Sequence, residues 1–283
     1  MAITPVDLSV TNITATSVRL NWVASVDALQ ALINSLFSAS EQGAIYVPMP
    51  VVNGAQALFQ DAAGTVPVTA DGDPVGKMID QSGNGNHATQ TVSGARPVYR
   101  TDGVLHWLEG DGVNSFLETT TLFTLTDKWA VSYAAEWTKF ANFTGPWRML
   151  RGGGGATSSS DNRIEDYSNI GKSRTIWSRY QSQGNNASRF NVQPLSAPFV
   201  GWANRNAGIE SALGEIYNGS TTQKVDIGLP YSVGTATLSL FRGYQGGRMS
   251  GNIYGYSFVV GGISLEKRAD LNIYMQSLAG VTL

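Results

Sequence analysis

Residues 58–90 read LFQDAAGTVPVTADGDPVGKMIDQSGNGNHATQ. Apolar stretches of two or three residues are cut here by Asp71-Gly72 and by Gly83-Asn84-Gly85-Asn86. Gly and Asn reach the positive φ angles of tight turns, and Asp accepts hydrogen bonds from turn amides. The same punctuation recurs outward from this stretch, at Asn53-Gly54, Asp102-Gly103, Asp111-Gly112, Gly152 to Gly155, Asn218-Gly219, Gly246-Gly247 and Gly261-Gly262. The strands read between these turns include 129–137, 174–180, 208–217, 235–242 and 251–260. Many short strands joined by polar turns predict an all-β antiparallel sandwich or barrel. The run GGGGATSSSDN at 152–162 reads as an exposed loop.

Composition agrees with that reading. The chain has 283 residues, of which 42% are hydrophobic, enough for a real core. Only 14% are charged, against about 25% in an average soluble protein. Such a surface is rich in Ser, Thr, Asn, Gln and Gly, which disfavours helical bundles and suits packing against other subunits. A net charge of −2 without any Lys/Arg block excludes an electrostatic nucleic-acid footprint. With no cysteine there is no disulfide, thiolate nucleophile or Cys-ligated metal. Residues 1–10 lack signal-peptide features, and no apolar run reaches membrane-spanning length. Synthesis in the cytoplasm, with release by lysis, is the expectation.

Two helices flank the β region. Ser25 can cap a helix over 26–38 in which Leu29, Leu32, Ile33, Leu36 and Phe37 form one stripe, read either as a connector on the sandwich or as an oligomerisation helix. A second helix is expected over 265–278, opened by Ser264 and stopped by Gly280. Residues 4–23 alternate as a strand pair and resemble the start of a fibronectin type III domain, whose pattern stops at Val23. The expected division is an N-terminal β arm at 1–24 for attachment, a connector helix at 25–42 and a sandwich domain at 43–283.

The stretch 58–90, with ARPVYR at 95–100 and LEGDGVNSFLET at 108–119, resembles phage and prophage virion proteins that carry a concanavalin A-like, laminin G-like lectin domain. The matching positions are Asp80, Ser82, Gly83, Gly85, Asn86, His87, Ala88, Arg96, Pro97 and Gly112. The similarity is dense over about 60 residues and architectural thereafter. The chain departs from the family at Tyr46-Val47-Pro48-Met49-Pro50, where members often carry acidic residues. The resemblance implies a jelly-roll sandwich on the surface of a virion assembled in a bacterial host's cytoplasm. It further implies a homo-oligomer, a trimer for instance, in contact with other virion proteins and a host glycan. A tail-fibre or tail-tip protein is the first expectation, and a head decoration or head-fibre protein the alternative.

Two readings of the signature stand side by side. Asp80, Ser82 and Asn86 can satisfy backbone amides of the glycine turn while His87 pins it against a strand, or Asp80, Asn86 and His87 can meet a ligand. Trp147 and Tyr167, beside the glycine run, are the aromatic candidates for stacking on a sugar. Asp161, Asn162 and Asp166 form the densest oxygen cluster, a candidate calcium site, and no other cofactor is expected. Glycosidases of this fold use paired carboxylates. Glu109 with Asp111 and Glu165 with Asp166 are the pairs available, but Asp111-Gly112 reads equally as a turn. Adjacent residues such as Glu165 and Asp166 point to opposite strand faces. A chain that binds and does not catalyse is expected, with a glycan depolymerase as the outsider. Two histidines without metal-ligand spacing argue against zinc.

Overall fold

The computed structural model describes residues 26–121, 123–125, 128–139, 144–151, 162–166, 175–179, 187–191, 197–206, 213–217, 222–226, 234–242 and 247–281. The β arm expected at 1–24 lies outside them, as does the exposed loop read at 152–162 except for Asn162, which begins a strand. In chain order α1 (Val26–Leu36) precedes β1 (Gly43–Tyr46), a small hairpin of β2 (Val51–Val52) and β3 (Ala55–Gln56), then β4 (Leu58–Phe59), β5 (Lys77–Met78) and β6 (Ala88–Thr89). Next come β7 (Val98–Thr101), β8 (His106–Asp111), β9 (Leu117–Thr119), β10 (Phe123–Leu125) and the long β11 (Lys128–Lys139). The second half adds β12 (Thr144–Arg151), β13 (Asn162–Asp166), β14 (Thr175–Arg179), β15 (Ala187–Asn191) and β16 (Phe199–Asn206). It ends with β17 (Leu213–Tyr217), β18 (Thr222–Asp226), β19 (Gly234–Leu240), β20 (Ser250–Val260) and α2 (Leu265–Ala279).

Two antiparallel sheets result. The first runs β18-β17-β16-β11-β20-β8-β7, with β1 also on β20. The second runs β15-β14-β13-β12-β19-β9-β6-β5-β4, with β10 also on β19. Strand β11 borders β20 along one side, from Trp129↔Val260 to Lys139↔Ser250. On the other side β8 takes the first part of β20, at Ser250 to Ile253, and β1 the last, at Tyr256 to Val259. The structure is thus an all-β antiparallel sandwich with two helices.

Side-chain alternation gives the first sheet two covered faces. Trp129, Val131, Tyr133, Ala135 and Trp137 of β11 join Tyr256 and Phe258 of β20 and Leu238 and Leu240 of β19 in the core between the sheets. Ala130 and Ala134 point the other way, into a second core with Leu29, Leu32, Ile33 and Leu36 of α1 and Leu271, Tyr274, Met275 and Leu278 of α2. Helix α1 therefore packs on its own sandwich, beside α2. Close approach of α2 requires Gly255, where a β-carbon would lie 2.5 Å from Leu278 Cδ1.

The ends of α2 follow from its flanking residues. The Ser264 hydroxyl accepts from the Lys267 amide at 3.2 Å, and Gly280 closes the helix in the left-handed region at φ 65°. Ser264→Ala should cost about 1 kcal/mol of stability, read as a lower urea midpoint at unchanged slope.

Candidate functional site

The signature loop forms the border of β1. Strand β1 meets β20 on one side only, and the residues after β5 satisfy its outer side. Asp80 Oδ1 accepts from the Ile45 amide at 3.0 Å and the Ser82 amide at 2.9 Å. Its Oδ2 accepts from the Ser82 hydroxyl at 2.8 Å and the Asn86 amide at 3.0 Å. The Gly43 carbonyl accepts from the side-chain amides of Asn86 at 2.7 Å and Asn84 at 3.2 Å, and the Gln81 amide donates to Ile45 O at 2.8 Å. A bare strand edge exposes unpaired amides and carbonyls that invite another chain. Here a loop of alternating Asp, Ser and Asn closes it, so the hydrogen-bonding capacity of the signature is turned inward. Both Asp80 and Asn86 are buried.

His87 completes the loop by accepting at Nδ1 from the Asp80 amide at 3.2 Å. That acceptor role places its proton on Nε2. Burial pushes its pKa below the ordinary histidine value, and the Lys77 charge adds to the effect, while Asp80 opposes it. Burial likewise lowers His106, against the pull of Asp102; its Nδ1 lies 2.6 Å from the Tyr99 hydroxyl. Both rings are held neutral in the fold, so the unfolded chain binds protons more readily. Their contribution is present above the unfolded value of about 6.5 and is lost as pH falls through the lowered folded values. The urea midpoint should be flat above about pH 7 and fall below about pH 6, with a shallower fall in His87→Asn.

The other sequence candidates fall in different places. Trp147 lies on β12 opposite Ile164 and Leu240, and its side chain is outside the described part of the structure, as is all of Tyr167. Asn162 and Asp166 lie on β13, opposite Met149 and Thr144, while Asp161 is outside the described residues. Among the described residues no group of three or more His, Cys, Asp or Glu is placed to hold a metal ion. Asp111 caps the turn that follows β8, its Oδ1 accepting from the amides of Val113, Asn114 and Ser115 at 2.8, 3.0 and 3.0 Å. Glu109 pairs with Arg100, Oε2 to Nε at 2.6 Å, and Arg100 reaches Asp71 at 3.3 Å.

A second cluster was not legible from sequence. On the helix-covered face of the first sheet, Glu136, Asn252 and Glu109 form a cross-strand row through the pairs Glu136↔Asn252 and Asn252↔Glu109. Glu136 Oε2 accepts from Asn252 Nδ2 at 2.9 Å and from the Tyr254 hydroxyl at 3.0 Å. Asn252 and Tyr254, two residues apart, share that face, and the register shift in the β11–β20 pairing between Ala134 and Ala135 reverses the alternation, so that Tyr256 and Phe258 return to the core between the sheets. Burial, with the Glu136 charge beside it, pushes the Tyr254 hydroxyl well above its ordinary pKa, keeping it a donor. Trp107 of β8 lies half-buried against Tyr254, ring centroids 5.8 Å apart. A fixed carboxylate, an amide and an aromatic face together are the groups that hydrogen-bond and stack on a sugar.

No family model matches the chain, and no curated protein matches it. Among solved structures it is similar to an arabinofuranosidase complexed with arabinofuranosyl-alpha-1,2-xylobiose, at TM-score 0.59 and 12% identity, over 88% of this chain and 65% of that one. It is also similar to a GH54 α-L-arabinofuranosidase soaked with a cyclic sulfate inhibitor, at TM-score 0.60 and 13% identity, over 90% of this chain and 65% of that one. The chain thus spans just under two thirds of those enzymes, and identities this low show a shared fold. No helix among the described residues is long and apolar enough to cross a membrane. The expectation that the chain does not catalyse is corrected: solved structures that share its fold include glycosidases, so the sandwich gives no ground for separating binding from glycoside chemistry.

Proposed function

We propose that this chain is a glycan-recognising surface protein of a bacteriophage particle, with a jelly-roll connection of its strands and a place in a tail fibre or tail tip. The observation that carries glycan recognition is the row Glu136–Asn252–Tyr254 beside the half-buried Trp107. The phage setting is supported by the signature at 58–119. Assembly as a homo-oligomer with other virion proteins belongs to the same proposal. Binding of the purified chain to an array of bacterial surface glycans, lost in Trp107→Ala, is the expected result; equal signals from both proteins sink the recognition reading. Quantifying the polypeptide in purified particles checks its place, since a handful of copies fits a tail and hundreds fit a head decoration.

A second reading, glycoside cleavage, is favoured by Glu109 and Glu136 sharing a face one strand apart on either side of Asn252. Their backbones are about 10 Å apart by strand spacing, and side chains can bring carboxyl groups within the roughly 5–9.5 Å used by glycosidases. Release of reducing ends from a bound glycan, abolished in both Glu109→Gln and Glu136→Gln, supports it; binding without release under the same conditions removes it.

A further inference from the structure

The charges around the row select among glycans. Glu136 and Glu109 flank Asn252 on one sheet face. Among the described residues the cation ion-paired in this cluster is Arg100, engaged by two acids, Glu109 at 2.6 Å and Asp71 at 3.3 Å. Among the described residues three carboxylates, Glu136, Glu109 and Asp71, therefore stand against one guanidinium, while one N–H of Asn252 and the Tyr254 hydroxyl are directed at Glu136. What the row presents to a ligand is a net negative charge with the Trp107 ring beside it. Carboxylate oxygens take sugar hydroxyls, which donate, and repel carboxylates and phosphates.

We infer that the face formed by Trp107, Glu136, Asn252 and Glu109 takes neutral sugars presenting hydroxyl donors and excludes uronic, sialic and phosphorylated glycans. The inference rests on the glycan-recognition reading above. Exclusion by like charge is a specificity device distinct from affinity, because it costs the wrong ligand without adding contacts to the right one. It is also sensitive to salt, because the Glu109 side chain is 43% exposed.

Affinity electrophoresis of the full chain through gels containing arabinan, xylan, dextran, polygalacturonate or alginate tests it. At low salt the wild-type chain should be retarded by at least one neutral polymer and by neither acidic one. Gln at 136 keeps an oxygen for Asn252 and Tyr254, so in the Glu109→Gln/Glu136→Gln variant the affinity for the acidic polymers relative to the neutral ones should rise about tenfold or more, whatever the change in neutral binding itself. Thermal melts confirm that each variant is folded. Equal retardation by neutral and acidic polymers, abolished in Trp107→Ala, overturns the charge selection and leaves glycan recognition standing. An unchanged preference in the double variant overturns it too. No retardation by any polymer overturns both.

Discussion

Replacing Asp80 by alanine should lower the free energy of unfolding by about 3–5 kcal/mol, the cost of stranding several buried donors at once. Four donors converge on this carboxylate: the amides of Ile45, Ser82 and Asn86 and the Ser82 hydroxyl. Alanine leaves them facing a small void beside the outer edge of β1, where bulk water is excluded. Asp80→Asn should cost less, about 2 kcal/mol, because one end of the amide still accepts while the other presents N–H groups to donors. Urea unfolding of the three proteins measures the order. A loss under about 1 kcal/mol in the alanine variant would show that the edge of β1 is held by something other than this loop.

Trp137→Ala should cost a similar amount, about 3–5 kcal/mol. The Trp137 ring is 1% exposed and lies parallel to Phe199, centroids 5.1 Å apart with an interplanar angle of 1°. It is among the largest fully buried side chains in the core between the two sheets, and truncation leaves a cavity bounded by rigid strands of both. Trp137→Phe keeps an aromatic face and should cost roughly half as much. Thermal melts followed by near-ultraviolet circular dichroism report both variants. Equal melting temperatures for wild type and Trp137→Ala would mean that the sheets do not pack through this ring.

Local signals were readable in the sequence, and long-range pairings were not. Ser264 and Gly280 bracket a helix because capping needs only the neighbouring few residues; the expected 265–278 is observed as Leu265–Ala279. The stripe Leu29, Leu32, Ile33, Leu36 sets α1, which ends at Leu36, two residues earlier than expected. The strand expected at 129–137 is observed as Lys128–Lys139, and that at 251–260 as Ser250–Val260. The strand read at 235–242 ends at Leu240, with Arg242 in a separate bridge to Arg248. The row at Glu136 depends instead on β11 meeting β20 and β20 meeting β8, which joins positions 109, 136 and 252. No periodicity within a strand announces which distant strand will lie beside it. Trp107, which packs half-buried against the helix-side core, was for the same reason indistinguishable from Trp129 and Trp137, which are buried in the core between the sheets.

Strand β20 is flanked by β11, β8 and β1, and it follows all three in the chain. Gly43 to Tyr46 must wait more than 200 residues of synthesis for Tyr256 to Val259, and until then the middle of the first sheet is an open slot between β11 and β8. Pairings of such long sequence separation fold slowly and leave strand edges exposed in the nascent chain. Translation of β20 is thus the event that shuts the domain, and a product terminated before residue 250 should be aggregation-prone rather than a smaller version of the same fold.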